Sequence, residues 1–258
     1  MKKFSLGFAF MVTIFSLILS SPALAHEFIL KPVQLNVTSG HHLPFSVVSA
    51  HVFMISEEME PIDQVEVYLM DGDIREEIAL KPNDMLLTLD GKVEINKEGT
   101  SILCGHRKGM IWTKTTKGWK QAGKKGLNGV ISSGKYEKFC KTLITSGKAN
   151  VGFEQVVGHK LEIVPIDDPD KAQLGKELAF QVLFKNKPLA TEVYASYDCF
   201  SSTPNTYAYF TETDEKGIAR VKITHPGTWM VRVQHKVDNS TADYDTHVMR
   251  AILVFGVN

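Results

Sequence analysis

The stretch Leu178-Ala179-Phe180-Gln181-Val182-Leu183-Phe184 decides the fold class. Leu178, Phe180, Val182 and Phe184 stand at every second position, so they share one face of an extended strand. Val65–Leu69 and the run from Trp229 to Val233 follow the same period. Turn clusters such as Asn186–Ala190 and Thr213–Gly217 separate these alternating runs. The pattern predicts an all-β protein made of sandwiches.

The length of the chain favours two tandem β-sandwich modules, because few single sandwiches are this long. We place an N-terminal β-rich module at 26–150 and a C-terminal module at 151–258. The regular turns of the second half predict an immunoglobulin-like or prealbumin-like sandwich.

One segment has helical spacing instead. In Lys135–Ile144 the residues Tyr136, Phe139, Cys140 and Leu143 recur at intervals of three and one, which predicts one short helix near 135–144.

A Lys- and Gly-rich segment precedes this helix, between Cys104 and Asn128. Such a run is usually a solvated loop or hairpin, and it gives only a weak signal for binding an acidic partner. Trp112 and Trp119 within it are expected to be packing anchors.

The N-terminus has the order of an export signal. Met1-Lys2-Lys3 precedes an apolar run to Leu19, and Ala23-Leu24-Ala25 offers a cleavage site. The run is shorter than the roughly 20 residues that span a bilayer, and no later segment is long and apolar enough. We therefore expect residues 1–25 to be a signal peptide, and a soluble periplasmic or secreted protein that begins at His26 and has no membrane span.

The charge is balanced, with 29 basic and 29 acidic side chains. This balance argues against nucleic acid as a partner. No GxSxG elbow, phosphate-binding loop or dinucleotide fingerprint is present, so an enzyme is not expected. Of the three cysteines, Cys104 and Cys140 are the better candidates for a disulfide, but three small buried thiols fit equally well.

His26 is the first candidate metal ligand. After cleavage it would offer an α-amine and an imidazole on one residue, and these two nitrogens can chelate nickel, cobalt, copper or zinc. His51 and His235 lie at predicted strand ends and are the preferred additional ligands. His247 opens the last strand and is a further candidate. Each alone is more often a surface histidine than a ligand.

Several stretches taken together resemble an exported bacterial family of unsettled function that is associated with nickel and cobalt uptake. They are Ala25–Phe28, Ser49–His51, Gly158–Pro165, Lys187–Ala190, Asp214–Gly217 and Gly227–Trp229. The family is similar to the extracytoplasmic part of a nickel-transport subunit. The resemblance implies a protein that binds nickel or cobalt and works with a membrane metal transporter. The membrane-spanning segments of the transport subunit are missing from this sequence, which leaves a binding role.

Two alternatives stay open. The amine and imidazole of His26 with a second imidazole would also form a copper-binding histidine brace, as in copper carriers and copper oxygenases. Tandem sandwiches also serve as adhesion or interaction modules without a metal, and this reading predicts histidines that are dispersed in space.

Overall fold

A computed structural model describes residues 26–147 and 151–258, and strands make up most of these residues. The predicted signal peptide, 1–25, and its cleavage site lie outside the described residues. The all-β prediction is confirmed, because the only helical turns between the described strands are the short 3-10 turns Ile62–Gln64 and Pro169–Lys171. Within residues 26–147 and 151–258, no helix has the length and apolar character needed to cross a membrane.

The strands of the described residues are short except for four long ones near the centre of the fold. In chain order they are β1 (Glu27–Pro32), β2 (Asn36–Val37), β3 (His41–Ala50), β4 (Val65–Asp71), β5 (Ile74–Glu77), β6 (Lys81–Asn83), β7 (Thr88–Ile95), β8 (Gly99–Thr115), β9 (Gly118–Lys120), β10 (Val130–Ser146), β11 (Leu161–Pro165), β12 (Glu177–Phe184), β13 (Lys187–Pro188), β14 (Glu192–Tyr197), β15 (Tyr209–Glu212), β16 (Ile218–Lys222), β17 (Gly227–Asp238) and β18 (Thr246–Val257).

These strands form three sheets. The front sheet has the order β1-β3-β7-β6. The central sheet has the order β15-β14-β17-β18-β10-β8-β4-β5, with β2 beside β10 and β9 beside β8. The back sheet has the order β11-β12-β13, with β16 paired to β12. Within the central sheet, β10 and β18 run parallel, which brings strands from the two halves of the chain side by side.

The central sheet is buried on both faces. In β10, Phe139 and Leu143 pack into a core with back-sheet residues such as Phe180. Cys140 and Ile144 point the other way and pack into a second core with front-sheet residues such as Phe28. Burying a Phe or Leu side chain fully contributes roughly 1.5 to 3 kcal/mol, so both cores stabilise the sheet between them. The result is two sandwiches that share one sheet.

The predicted helix at 135–144 is wrong, because the segment lies inside the strand β10. A strand that is buried on both faces carries apolar residues at odd and even positions alike, and the period of two disappears from the sequence. The spacing of Tyr136, Phe139, Cys140 and Leu143 matched a helix only because apolar residues face both cores.

The predicted modules meet within the central sheet. Strands β4, β8 and β10 come from 26–150, whereas β14, β17 and β18 come from 151–258, and β10 is hydrogen-bonded to β18. Residues 148–150, where the boundary was placed, lie outside the described residues. How the chain divides into modules therefore stays a prediction, but one shared sheet joins the two halves.

The candidate disulfide is absent, since Cys104 and Cys140 are both free thiols. Their strands are neighbours, but Cys104 is in register with Lys141 and Cys140 with Gly105. This offset of one residue sends the two side chains to opposite faces of the central sheet. Burial raises the pKa of each thiol to about 12.

Candidate functional site

The pairing of β1 with β3 brings the first candidate ligands together. The strands are antiparallel, and Glu27 at the start of β1 is opposite Ala50 at the end of β3. His26 precedes Glu27 and His51 follows Ala50, so both histidines leave the same end of the sheet side by side. Their ring centroids are 3.9 Å apart. His26, predicted as the first ligand, and His51, one of the two predicted strand-end ligands, are therefore neighbours.

Glu57 completes a group of three possible ligands. Its Oε2 lies 2.8 Å from Nδ1 of His51 and 3.5 Å from Nε2 of His26. One ligand atom from each of the three residues can be chosen so that all lie within 4.8 Å of one another. Metal–nitrogen and metal–oxygen bonds are about 2.0 to 2.2 Å long, so a small inward movement of these side chains would let one ion contact all three.

The loop from His51 to Glu58 holds the carboxylate in place. The backbone N–H groups of His51 and Val52 donate to Oε1 of Glu57, at 2.9 and 3.3 Å. The backbone N–H of Glu57 donates to the carbonyl of Ser49 at 2.9 Å. Since Oε1 accepts these loop hydrogen bonds, Oε2 is the oxygen that faces the two imidazoles.

The carboxylates of the site are ionised at neutral pH. Partial burial alone would raise the pKa of Glu57, but the hydrogen bonds and charge of His51 outweigh it and hold that pKa at about 2. The imidazole of His26, whose Nδ1 lies 2.8 Å from Oε1 of Glu58, lowers the pKa of that carboxyl. A metal ion would therefore meet negative charge without displacing a proton from either glutamate.

The other two predicted ligands lie in different surroundings. The ring of His235 packs 4.5 Å from the ring of Phe184. Nε2 of His247 is 2.9 Å from Oε2 of Glu137, at an angle that makes no hydrogen bond. Among the described residues, the group of possible metal ligands contains neither histidine.

Glu137 is the centre of a second charged cluster. His106 lies 2.8 Å from one carboxylate oxygen, and Nζ of Lys160 donates to both oxygens at 3.2 Å. Burial favours the neutral carboxyl, but His106 and Lys160 outweigh it and hold the pKa of Glu137 at about 2. The lysine ammonium already supplies the positive charge that this buried carboxylate needs, so the cluster is better suited to structure than to a metal.

The sequence interpretation missed the acidic ligand. Glu57 and Glu58 follow His51 by only six and seven residues, in a short loop after a strand that ends in a candidate ligand. That proximity was the available signal. His159 is a further buried histidine: burial lowers its pKa to about 3, and its Nε2 lies 2.9 Å from the hydroxyl of Tyr68.

An open cleft of about 490 Å³ adjoins the site, and His26 and Glu58 form part of its wall. Strands β8 and β10 supply much of the rest. The lining includes three aromatic side chains and two buried cations, which are Trp112, Trp119, Tyr136, Arg107 and Lys138. The two tryptophans that the sequence suggested as packing anchors therefore border an opening to solvent.

The solved structures that match this chain over most of its length have low similarity to it. The D0-D1 domain of intimin is 11% identical, with 90% of this chain and 99% of that chain covered, at a TM-score of 0.24. The Yersinia pseudotuberculosis adhesin InvE is 10% identical, with 88% of this chain and 58% of that chain covered, also at a TM-score of 0.24. Such scores support no conclusion about function. Among curated proteins, none matches this chain significantly.

A sequence family gives a firmer relation. The family model described as a domain of unknown function, DUF4198, matches residues 23–237. That range includes the histidine site, the cleft and strands from both halves of the central sheet. Because the match spans most of the chain, the protein belongs to the DUF4198 family.

Proposed function

We propose that this protein binds a divalent transition-metal ion, nickel or cobalt, outside the cytoplasm and so supports uptake of the ion by a membrane transporter. One observation carries the proposal, namely that His26, His51 and Glu57 have ligand atoms within 4.8 Å of one another. Imidazole and carboxylate together suit borderline divalent ions. The role is binding rather than catalysis.

Glu58 orients the first ligand in this proposal. It lies 2.8 Å from Nδ1 of His26, which leaves Nε2 of the same ring on the side of Glu57. A carboxylate on the second ring nitrogen commonly fixes the tautomer and orientation of a metal-bound histidine. The surroundings of the site therefore resemble those that metal ligands usually need.

Export would add a fourth donor. If residues 1–25 are removed after Ala25, the α-amine of His26 becomes free on the same residue as its imidazole. An amine with an ordinary pKa near about 8 loses its proton on coordination at neutral pH. We propose that cleavage both releases the protein and completes the site.

Copper is the main alternative. The same amine and imidazole with His51 would make a histidine brace, and affinity rises toward copper for most nitrogen sites. The 3.9 Å separation of the two rings supports this candidate as well. The carboxylate of Glu57 separates the two hypotheses chemically, because a brace needs three nitrogens and nickel or cobalt would use the oxygen too. An interaction module without metal predicts dispersed histidines, which this pair does not support.

Isothermal titration calorimetry would test the proposal on protein that begins at His26. We expect nickel and cobalt to bind with micromolar or tighter affinity, and His51→Ala to weaken binding at least about 100-fold. His247→Ala is the matched control, since His247 pairs with Glu137, and its affinity should equal that of the wild type. Circular dichroism of each variant checks that the protein is folded.

Three outcomes would change the proposal. Folded wild-type protein that takes up no metal would remove it. Binding of copper alone, with Glu57→Gln unchanged, would favour the histidine brace. Unchanged affinity when one residue is left ahead of His26 would remove the terminal amine as a ligand.

A further inference from the structure

The cleft beside His26 is lined by two buried cations, Arg107 and Lys138. Arg107, Lys138 and Arg250 stand directly opposite one another on the neighbouring strands β8, β10 and β18. Residues opposite one another in a sheet share a face, and like charges in such pairs are destabilising. A row of three cations therefore crosses the central sheet, and Arg107 and Lys138 are 3% and 5% exposed.

Each buried carboxylate beside this row is shared between two cations. Glu60 accepts from Nζ of Lys138 at 2.6 Å and lies 3.7 Å from Nε of Arg107, so one carboxylate serves two cations. Glu27 lies 2.9 Å from Arg232 and 3.6 Å from Arg250, so this carboxylate also serves two cations.

Arg107 has a buried donor nitrogen without a hydrogen-bond partner. Nη1 of Arg107 donates to the carbonyls of Lys108 and Tyr136, but its buried Nε has no hydrogen-bond partner. Glu58 is the other acidic residue of the cleft, and it is half exposed and adjacent to His26. A buried N–H donor without a hydrogen-bond partner is costly, and a carboxylate oxygen that entered the cleft and accepted from it would offset that cost.

The walls of the cleft suit a flat apolar group. Trp112 and Met110 are two residues apart on β8, so they lie on the same face, and Met110 is in register with Tyr136 of β10. Trp119 comes from β9, which pairs with the end of β8, and it is 40% exposed. Aromatic side chains around an opening stack against planar ligands, and concave sites of this size hold small molecules.

The position of His26 connects the cleft to the metal site. His26 belongs to the candidate ligand group and also lines the cleft. A molecule in the cleft would therefore lie beside the ion. Three protein side chains leave coordination positions open on a divalent transition metal, and carboxylate oxygens or ring nitrogens can fill them.

We propose that the cleft binds a small chelating carboxylate with a flat apolar part, so that the protein takes up its metal as a complex with an organic anion. This inference rests on the metal site proposed above. In it, the cationic row attracts the carboxylate, the aromatic walls hold the flat part, and His26 joins the ligand to the ion.

Nickel with picolinate is the test, because picolinate combines a flat ring, a carboxylate and a chelating nitrogen. Picolinate should tighten nickel binding to the wild type about tenfold, within the usual range of coupled binding. It should also quench tryptophan fluorescence, since two of the three tryptophans line the cleft and Trp229 is fully buried elsewhere. Nicotinate, which cannot close the chelate ring, and picolinamide, which lacks the charge, should not tighten nickel binding.

Trp119→Ala separates the cleft from the metal site. Because Trp119 lies on a partly exposed hairpin, the variant should fold and bind nickel alone as the wild type does. The tightening by picolinate should fall at least about threefold, since stacking of a flat ring on an aromatic side chain contributes to affinity. Lys117→Ala, on the same hairpin but outside the cleft, should behave as the wild type.

The two proposals fail in distinguishable ways. If nickel alone does not bind, the metal site is lost. If nickel alone binds but picolinate only competes for the ion, equally in the wild type and in Trp119→Ala, the cleft proposal is overturned while the metal site stands.

Discussion

Replacing Lys141 by methionine should destabilise the whole protein, because its ammonium balances a carboxylate that has almost no contact with water. Lys141 of the central sheet and Glu162 of the back sheet are 2% and 1% exposed, and Nζ lies 2.8 Å from Oε1. The variant would leave Glu162 charged and buried between two sheets. Its remaining partners are the backbone N–H groups of Val157 and Gly158, at 2.8 and 3.0 Å.

The magnitude follows from these contacts. Removing one partner of a buried ion pair costs about 3 to 5 kcal/mol. The two backbone hydrogen bonds stay in place and stabilise the carboxylate, so we expect the lower end, about 3 kcal/mol. For a chain of this size each kcal/mol lowers the melting temperature by roughly 2 to 4 °C, which gives a fall of about 6 to 12 °C.

Urea and thermal unfolding followed by circular dichroism would measure the loss. Lys141→Met with Glu162→Gln should recover much of it, because no buried charge is then left without a partner. Lys171→Met is the control, since that lysine is 66% exposed and its ion pair with Asp168 should contribute less than about 1 kcal/mol. Equal melting temperatures for Lys141→Met and Lys171→Met would refute the burial of the pair between the sheets.

Three further predictions concern the site, the turns and the thiols. Metal affinity should fall as the pH is lowered from 8 to 5, because protons displace the ion from imidazole nitrogens. Glu57, with a pKa of about 2, stays ionised over this range. An affinity that calorimetry shows to be independent of pH would exclude histidine ligands. Gly217→Ala should lower the free energy of unfolding in urea more than Gly175→Ala does. Both glycines have positive φ, but an added Cβ at Gly217 would lie 2.6 Å from a backbone oxygen, whereas Gly175 faces open space. Equal losses would refute this close approach. In native protein, a thiol reagent should modify Cys199 alone, and all three cysteines only after unfolding; rapid reaction of a second thiol would contradict their burial.

The fold class could be predicted because several segments have apolar residues at every second position, and some strands, such as β16, are buried on one face only. Strand β12 keeps apolar residues at every second position of its sequence, and its bounds, Glu177–Phe184, closely match the quoted stretch. Strand β10 could not be recognised in the same way, because both of its faces are covered. Which strands are covered twice depends on how three sheets stack, and that arrangement is not encoded in the period of any one segment.

The site was predictable in part for a related reason. His26 and His51 flank the strands β1 and β3, and antiparallel pairing of strands that are close in the sequence brings such ends together. His247 was chosen by the same logic, but it begins a strand that is parallel to β10 and meets Glu137 instead. The turn of its loop brings Glu57 to the two histidines, and the register of three strands aligns the row of cations. Both depend on tertiary geometry.

The most direct test of the metal site is a crystal of the protein that begins at His26, grown with nickel and measured at the nickel absorption edge. We expect an anomalous peak about 2 Å from nitrogen atoms of His26 and His51 and from an oxygen of Glu57. A peak at His235 or beside Glu137, or none between the paired imidazoles in a fully soaked crystal, would contradict it.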